Sequence, residues 1–220
     1  APGSGCDARG GENRLHAVLG WSETCIATHP SDFCVPLVAL DAVVEVDGKA
    51  GRREIPLEEF HRLPGHTPER ETLLEPGEMI VALRLPAAAV QFAPHSRYLK
   101  IRERTSYAFA VVSAAAALRI EDDTIMEARL ALGGVAMKPW RAREAELILN
   151  GVRADAALFQ RAADAALADA KPSGDNGFKI DLARRIIVRA LALAKAGTPE
   201  RMPALPASPF ASVSGDVIHA

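Results

Sequence analysis

The chain has 220 residues, 49% hydrophobic and 25% charged, ample apolar material for one core or two small ones, which excludes disorder and collagen-like repeats. Its 26 Lys and Arg against 28 Asp and Glu give a formal charge of −2, without the one-sided charge that a nucleic-acid footprint or a polybasic membrane patch needs. No stretch reaches the roughly 18 consecutive apolar residues of a membrane helix, and the first thirty residues carry Gly, Cys, Asp, Arg and Glu where a signal peptide has an apolar core.

Residues 1–30 show neither helical nor strand periodicity. Gly3, Gly5, Gly10, Gly11 and Gly20 are interleaved with polar residues, so the segment reads as loop ending at Thr28-His29-Pro30. The start at Ala1-Pro2-Gly3-Ser4-Gly5-Cys6, with no capped element before it, reads as the middle of a longer protein. Next, Ser31 or Asp32 can cap a short helix through Leu40, where Pro36 is tolerated because first-turn amides lack helical acceptors. Strands at 42–46 and 53–55 flank a loop opening with Asp47-Gly48 and predict a hairpin. Glu75-Pro76-Gly77-Glu78 then turns the chain into a strand from Met79 to Leu85.

Beyond residue 95 the pattern predicts strands at 97–103, 109–120 and 125–132, then helices at about 139–149, 154–170 and 180–195. The 109–120 segment is contested. Ala114 to Ala117 favour helix, whereas Phe109, Val111, Val112 and Ile120 favour strand, and strand is the reading taken. Pro139 and Gly151 bracket the first helix, and Leu182, Ile186, Arg189 or Ala190, and Leu193 mark one face of the third. The fold class is α+β, with a C-terminal domain built as a three-stranded antiparallel sheet packed against a three-helix bundle. The divisions fall at 1–95, 96–198 and an extended tail at 199–220, where Pro199, Pro203, Pro206 and Pro209 recur.

No dinucleotide or phosphate loop and no nucleophile elbow is present. The six histidines, at 16, 29, 61, 66, 95 and 219, form no ligand-type spacing, which leaves a zinc hydrolase without support. Cys6 and Cys25 sit in glycine-rich loop, where they are either free thiols or metal ligands. Cys34 lies in an apolar helical run and reads as core. Strand alternation at 97–102 puts Tyr98, Lys100 and Arg102 on one face. That is either an edge meeting solvent or the wall of a cleft for a planar anionic cofactor.

Three stretches resemble the flavin subunit of the molybdenum hydroxylases, the xanthine dehydrogenase and carbon monoxide dehydrogenase superfamily. They are Thr28-His29-Pro30-Ser31-Asp32 followed by Leu37-Val38-Ala39-Leu40-Asp41-Ala42; Arg97-Tyr98-Leu99-Lys100-Ile101-Arg102 with Ala110-Val111-Val112; and Leu132-Gly133-Gly134-Val135-Ala136 leading to Pro139-Trp140-Arg141-Ala142. The opening Cys6 loop, Gly11-Glu12-Asn13-Arg14 and Cys25-Ile26-Ala27-Thr28-His29-Pro30 resemble in particular the bacterial aldehyde oxidoreductase branch, whose flavin subunit carries an extra [4Fe-4S] cluster.

The resemblance implies that 1–95 is the later part of the FAD-binding domain, with an iron–sulfur loop at 1–30, and that 96–198 is the flavoprotein C-terminal domain. It implies FAD contacts from Thr28, His29, Asp32, Ile80, Lys100 and Tyr107, with Asp32 near the sugar alcohol chain or ring edge, Ile80 beneath the flavin and Lys100 near its pyrimidine end. Cys6 and Cys25 would be two cluster ligands, shared with cysteines that belong before residue 1, as does the Gly-Gly-Asn turn that meets the pyrophosphate. The implied function is electron transfer, with no catalytic residue acting on the organic substrate. The implied partners are a large subunit with the molybdenum cofactor and a small [2Fe-2S] subunit, in a cytoplasmic or periplasmic complex. Two rivals stand beside it: a docking module without a redox centre, and a structural zinc site built from Cys6, Cys25 and a histidine.

Overall fold

The computed structural model describes residues 5–200; the proline-rich tail expected at 199–220 lies almost wholly outside them. The order of elements matches the expected α+β arrangement, with two antiparallel sheets and the longest helices at the C-terminal end.

The opening segment contains one 3-10 turn, Asp7–Gly10, and is otherwise irregular, yet Ala17, Val18, Leu19 and Ile26 are fully buried. Val18 and Leu19 pack in the same core as the C-terminal helices, so this loop is structural for the far end of the chain. Helix α1 spans Cys34–Ala39, ending one residue before the expected Leu40; of the two expected caps it is Ser31 whose hydroxyl accepts the Cys34 amide, at 3.0 Å. Strands β1 (Val43–Gly48) and β2 (Gly51–Pro56) form the predicted hairpin with Gly48 opposite Gly51, leaving Lys49-Ala50 as the tip. Helix α2 (Leu57–Phe60) was not foreseen in the sequence. Strand β3 (Met79–Arg84) pairs with β1, giving the order β2-β1-β3. Between the two sheets runs a 3-10 stretch, Ala87–His95.

The second sheet has β4 (Ser96–Ile101), β5 (Val112–Glu121) and β6 (Thr124–Gly133) as its three long strands. Two short strands not expected from the sequence, β7 (Trp140–Arg141) and β8 (Val152–Arg153), both pair with β6. Pro139 therefore precedes a strand rather than opening a helix, and α3 begins only at Arg143 (Arg143–Leu149). The β5–β6 hairpin turns on Asp122-Asp123, both with positive φ (47° and 63°), the two-residue geometry whose twist suits a hairpin and which aspartate tolerates.

Helices α4 (Ala156–Ala166) and α5 (Phe178–Ala196) complete the layer; the Asp155 carboxylate caps α4 by accepting the Leu158 amide at 2.7 Å. The alanine run of β5 is strand because both of its faces are covered. Ala114, Ala116 and Leu118 meet α5, whereas Ala115, with Ala131 of β6, faces Val35, Val38 and Ala39 of α1. Over Ala114 to Ala117 the methyl side chains let α5 and α1 approach the sheet closely from its two sides. The buried face of α5 is Lys179, Ala183, Ile186, Ile187, Ala190, Leu191 and Ala194, rotated from the stripe read in the sequence, and Arg189 is exposed.

Gly133 and Gly134 sit at the junction of the layers. A Cβ on Gly133 would stand 2.4 Å from the Ser113 hydroxyl and 2.6 Å from Val35, and Gly134 has φ +71° beneath the Val111 carbonyl.

Candidate functional site

β4 leaves Leu99 and Ile101 against the helical core and turns Tyr98 and Lys100 to the other face, as the alternation predicted. The turn before α1 brings Asp32 to them. The Tyr98 hydroxyl donates to Oδ1 of Asp32 at 2.7 Å, and Nζ of Lys100 donates to Oδ2 in an ion pair. Burial pushes the Tyr98 phenol up and would raise Asp32 too. For Asp32, the hydrogen bonds from Lys100 and Tyr98 and the charges of Lys100 and Arg102 outweigh burial, holding the carboxyl below its usual range.

Asp32 and Lys100 share an open hollow of about 580 Å³ with Arg102, Arg104, Tyr107, Ala108 and Phe109, inside the size range of small-ligand sites. Three cations against one carboxylate make it electropositive. Tyr107 is 94% exposed and Phe109 65% exposed, so two aromatic rings stand at its rim with little cover. Tyr107 is also held at φ 50°, unusual for an aromatic residue; the Arg104 guanidinium donates to the Tyr107 carbonyl and lies 5.9 Å from its ring. Uncovered aromatics beside cations suit a planar anionic ligand: rings stack, and fixed positive charge meets phosphate or a negatively charged ring.

The other expected residues distribute unevenly. Thr28 and His29 line a smaller recess of about 30 Å³ that shares Asp32 and Phe109 with the main hollow. Ile80 is on β3, half-exposed and absent from the lining of either cavity. Cys6 and Cys25 are half-buried free thiols, and the segments bearing them are drawn together by the Arg9–Glu23 ion pair, with the Arg9 guanidinium 5.5 Å from the Trp21 ring. Two thiols are half of the four thiolates a cubane cluster takes. Among the described residues no histidine forms a three-ligand group with them; His219 lies outside those residues.

Cys34 departs from its expected place in the core. It is half-buried and lies with His29 and His61, whose rings are 4.3 Å apart. Burial lowers both imidazoles: His29 falls despite the opposing pull of Glu71, and His61 falls to about 4 with help from His29 and Lys138. Spacings of five and twenty-seven residues carry no motif, so sequence reasoning had no signal for this cluster.

Two antiparallel sheets in this order, with a cation-lined hollow between the turn before α1 and the end of β4, define a class. The FAD binding domain in molybdopterin dehydrogenase matches residues 18–88, and the CO dehydrogenase flavoprotein C-terminal domain matches 97–194. The chain belongs to the FAD-binding medium-subunit family of the molybdenum hydroxylases.

Among curated relatives, the aldehyde oxidoreductase FAD-binding subunit PaoB of Escherichia coli (strain K12) is 47% identical over 196 residues, 89% of this chain and 58% of that one. The carbon monoxide dehydrogenase medium chain of Hydrogenophaga pseudoflava is 31% identical over 168 residues, 74% of this chain and 56% of that one. In three dimensions, the chain resembles the Hydrogenophaga pseudoflava carbon monoxide dehydrogenase lacking the Mo-pyranopterin moiety, with TM-score 0.67 and 32% identity, covering 76% of this chain and 57% of the other. Quinoline 2-oxidoreductase from Pseudomonas putida 86 follows with TM-score 0.63 and 26% identity, covering 83% and 59%. The chain thus spans between 56% and 59% of the length of these relatives.

Proposed function

We propose that this chain is the FAD-binding electron-transfer part of a molybdenum-dependent oxidoreductase of aldehyde or xanthine type. The observation that carries the reading is the Asp32–Lys100 pair, buttressed by Tyr98, on the wall of an electropositive hollow rimmed by Tyr107 and Phe109. The residues fit a flavin: a fixed carboxylate for a ribityl hydroxyl or ring N–H, ammonium and guanidinium groups for negative charge, and aromatic surface for a ring. When bound, FAD would take electrons from iron–sulfur clusters and release them to an external acceptor.

The chain's own part in this is electrostatic and positional. Lys100, restrained by Asp32, holds a positive charge at one place, so little reorganisation is needed when the ligand becomes more negative. Arg102 and Arg104 extend that potential along the hollow, and Phe109 and Tyr107 screen it from water once a ring lies over them. Tyr98 holds the Asp32 carboxylate, which in turn keeps the Lys100 ammonium aimed.

Cys6 and Cys25 are the residues through which a [4Fe-4S] cluster would reach this chain, with two further thiolates from outside it. The partners in this reading are a large molybdenum-cofactor subunit and a small [2Fe-2S] subunit. Among the described residues no helix is long and apolar enough to cross a membrane. The apolar side chains of β3 at Met79, Ile80, Val81 and Leu83, all exposed, favour an assembled state over an isolated one. The docking-only rival lacks support, since the relatives above are named as FAD-binding subunits or belong to oxidoreductases.

The test is Lys100→Ala in the assembled complex. Flavin reduction by substrate slows at least about tenfold, the equivalent of 1.4 kcal/mol of lost stabilisation, while substrate oxidation read with an artificial dye at the molybdenum site keeps its rate. Equal loss in both assays contradicts the role given to Lys100.

A further inference from the structure

Apart from the flavin hollow, the molecule carries a second cluster of chemically competent side chains. His29, Cys34 and His61 each offer one ligand atom, and the three atoms lie within 4.8 Å of one another. The residues come from separate places: His29 from the loop before α1, Cys34 from the first turn of α1, and His61 from the end of α2. Each imidazole keeps a buried nitrogen without a hydrogen-bond partner, Nε2 of His29 and Nδ1 of His61, and the His61 residue is only 9% exposed. A buried polar atom left without a partner costs free energy, and two such nitrogens on imidazoles gathered with the Cys34 thiol call for a shared occupant.

We infer that His29, Cys34 and His61 form a binding site for a borderline-soft divalent cation of the Zn²⁺ class, with a fourth position left for water or an outside ligand. Two imidazole nitrogens and one thiolate suit Zn²⁺, which takes tetrahedral N and S donors and keeps an open position when the protein supplies three. Mg²⁺ and Ca²⁺ are excluded by the absence of oxygen donors in the set. Ligation converts the Cys34 thiol to thiolate and releases its proton to solvent, with no change of oxidation state. The site would clip three segments together. The His29 amide already donates to the Ala136 carbonyl at 2.8 Å, and His61 forms an isolated bridge with Thr72, so the metal would join the loop at the C-terminal sheet to the smaller unit. Asp32 lies between two of the ligands, so the same clip would stiffen one wall of the flavin hollow. The inference stands without the flavin reading, because metal binding is measured without flavin.

The experiment uses the full 220-residue chain stripped with a chelator. Calorimetric titration with Zn²⁺ gives one equivalent bound and raises Tm, and Co²⁺ in its place gives a thiolate-to-cobalt charge-transfer band in the near ultraviolet. Cys34→Ser, nearly isosteric, abolishes that band, weakens Zn²⁺ by more than about tenfold and removes the Tm rise while retaining the far-ultraviolet circular dichroism of the parent. The Cys6→Ser, Cys25→Ser double variant keeps all three signals. Absence of stoichiometric Zn²⁺ binding, a cobalt band that survives Cys34→Ser, or a band lost in the Cys6, Cys25 double variant each overturns the assignment.

Discussion

Strands β5 and β3 are both apolar, and they could hardly be placed more differently. Residues 112–118 of β5 are all buried between α5 on one side and α1 on the other, whereas every residue of β3 from Met79 to Arg84 is exposed. The C-terminal layer has its complement within the chain. The smaller sheet has only part of its own, on the β1 side, where Val44 and Val46 reach the core with Ile55 of β2. Stability in this molecule is therefore concentrated after residue 95 and in the loop around residues 13–19 that packs against it, and the smaller sheet leaves its β3 strand exposed.

The largest expected effect lies where the two regions are tied. The Arg141 side chain is 1% exposed; it pairs with the buried Glu146 and, at 2.9 Å, with Asp41, and it donates to the Val38 carbonyl at the end of α1. Arg141→Leu leaves Glu146 without its main counter-charge in a buried place, and the loss is about 3–5 kcal/mol in denaturant unfolding. A loss under 1 kcal/mol would show that the two units are not coupled through this residue.

A smaller effect is expected at Lys179, fully buried in α5, whose ammonium donates to the carbonyls of Leu15, His16 and Gly134 at 2.6–2.8 Å. Among the described residues no carboxylate pairs with it, and burial lowers its pKa to about 8 from 10.5. Lys179→Met strands three carbonyls and costs about 2–3 kcal/mol. Because the folded protein gives up this proton before the unfolded chain does, unfolding takes up a proton between pH 8 and 10.5. Stability from this group therefore rises with pH across that window, and the gap between the parent and Lys179→Met widens there. A gap that narrows over the same range contradicts the burial of the charge.

The smallest effect is on β3. Ile80→Thr on the exposed strand changes the stability of the isolated chain by less than about 0.5 kcal/mol; a cost above 1.5 kcal/mol would mean that the smaller sheet is as closed as the larger.

The same contrast explains what could be read in the sequence. The β1–β2 hairpin and β3 follow from turn residues and short apolar runs, which are local signals, and β4 follows from alternation, whereas β5 rests on the strand preference of Phe109, Val111, Val112 and Ile120 against the helical preference of Ala114 to Ala117. The Asp32–Lys100 hollow was legible because one partner lies on a strand whose period fixes its face and the other follows a recognisable Thr-His-Pro-Ser-Asp turn. What stayed hidden depends on distant segments meeting. The unmotivated spacing of His29, Cys34 and His61 is one case. Another is β7, where pairing of Trp140 with Leu132 overrides the helix-start signal of Pro139. Lys179 carried a faint mark, since it stands four and seven residues before Ala183 and Ile186 on the face that α5 buries, but a lysine in that stripe reads as solvated without knowledge of the three carbonyls awaiting it.

The claim on which the rest hangs is that the hollow between Asp32, Lys100 and Phe109 receives the isoalloxazine. Its most direct test is the equilibrium affinity for FAD, by quenching of flavin fluorescence, of the assembled protein against Lys100→Ala and Phe109→Ala. Affinity falling by about tenfold or more in both variants, with far-ultraviolet circular dichroism unchanged, is the result this account predicts. FAD held by both variants as tightly as by the parent would place the flavin elsewhere and leave the Asp32–Lys100 pair a structural ion pair only.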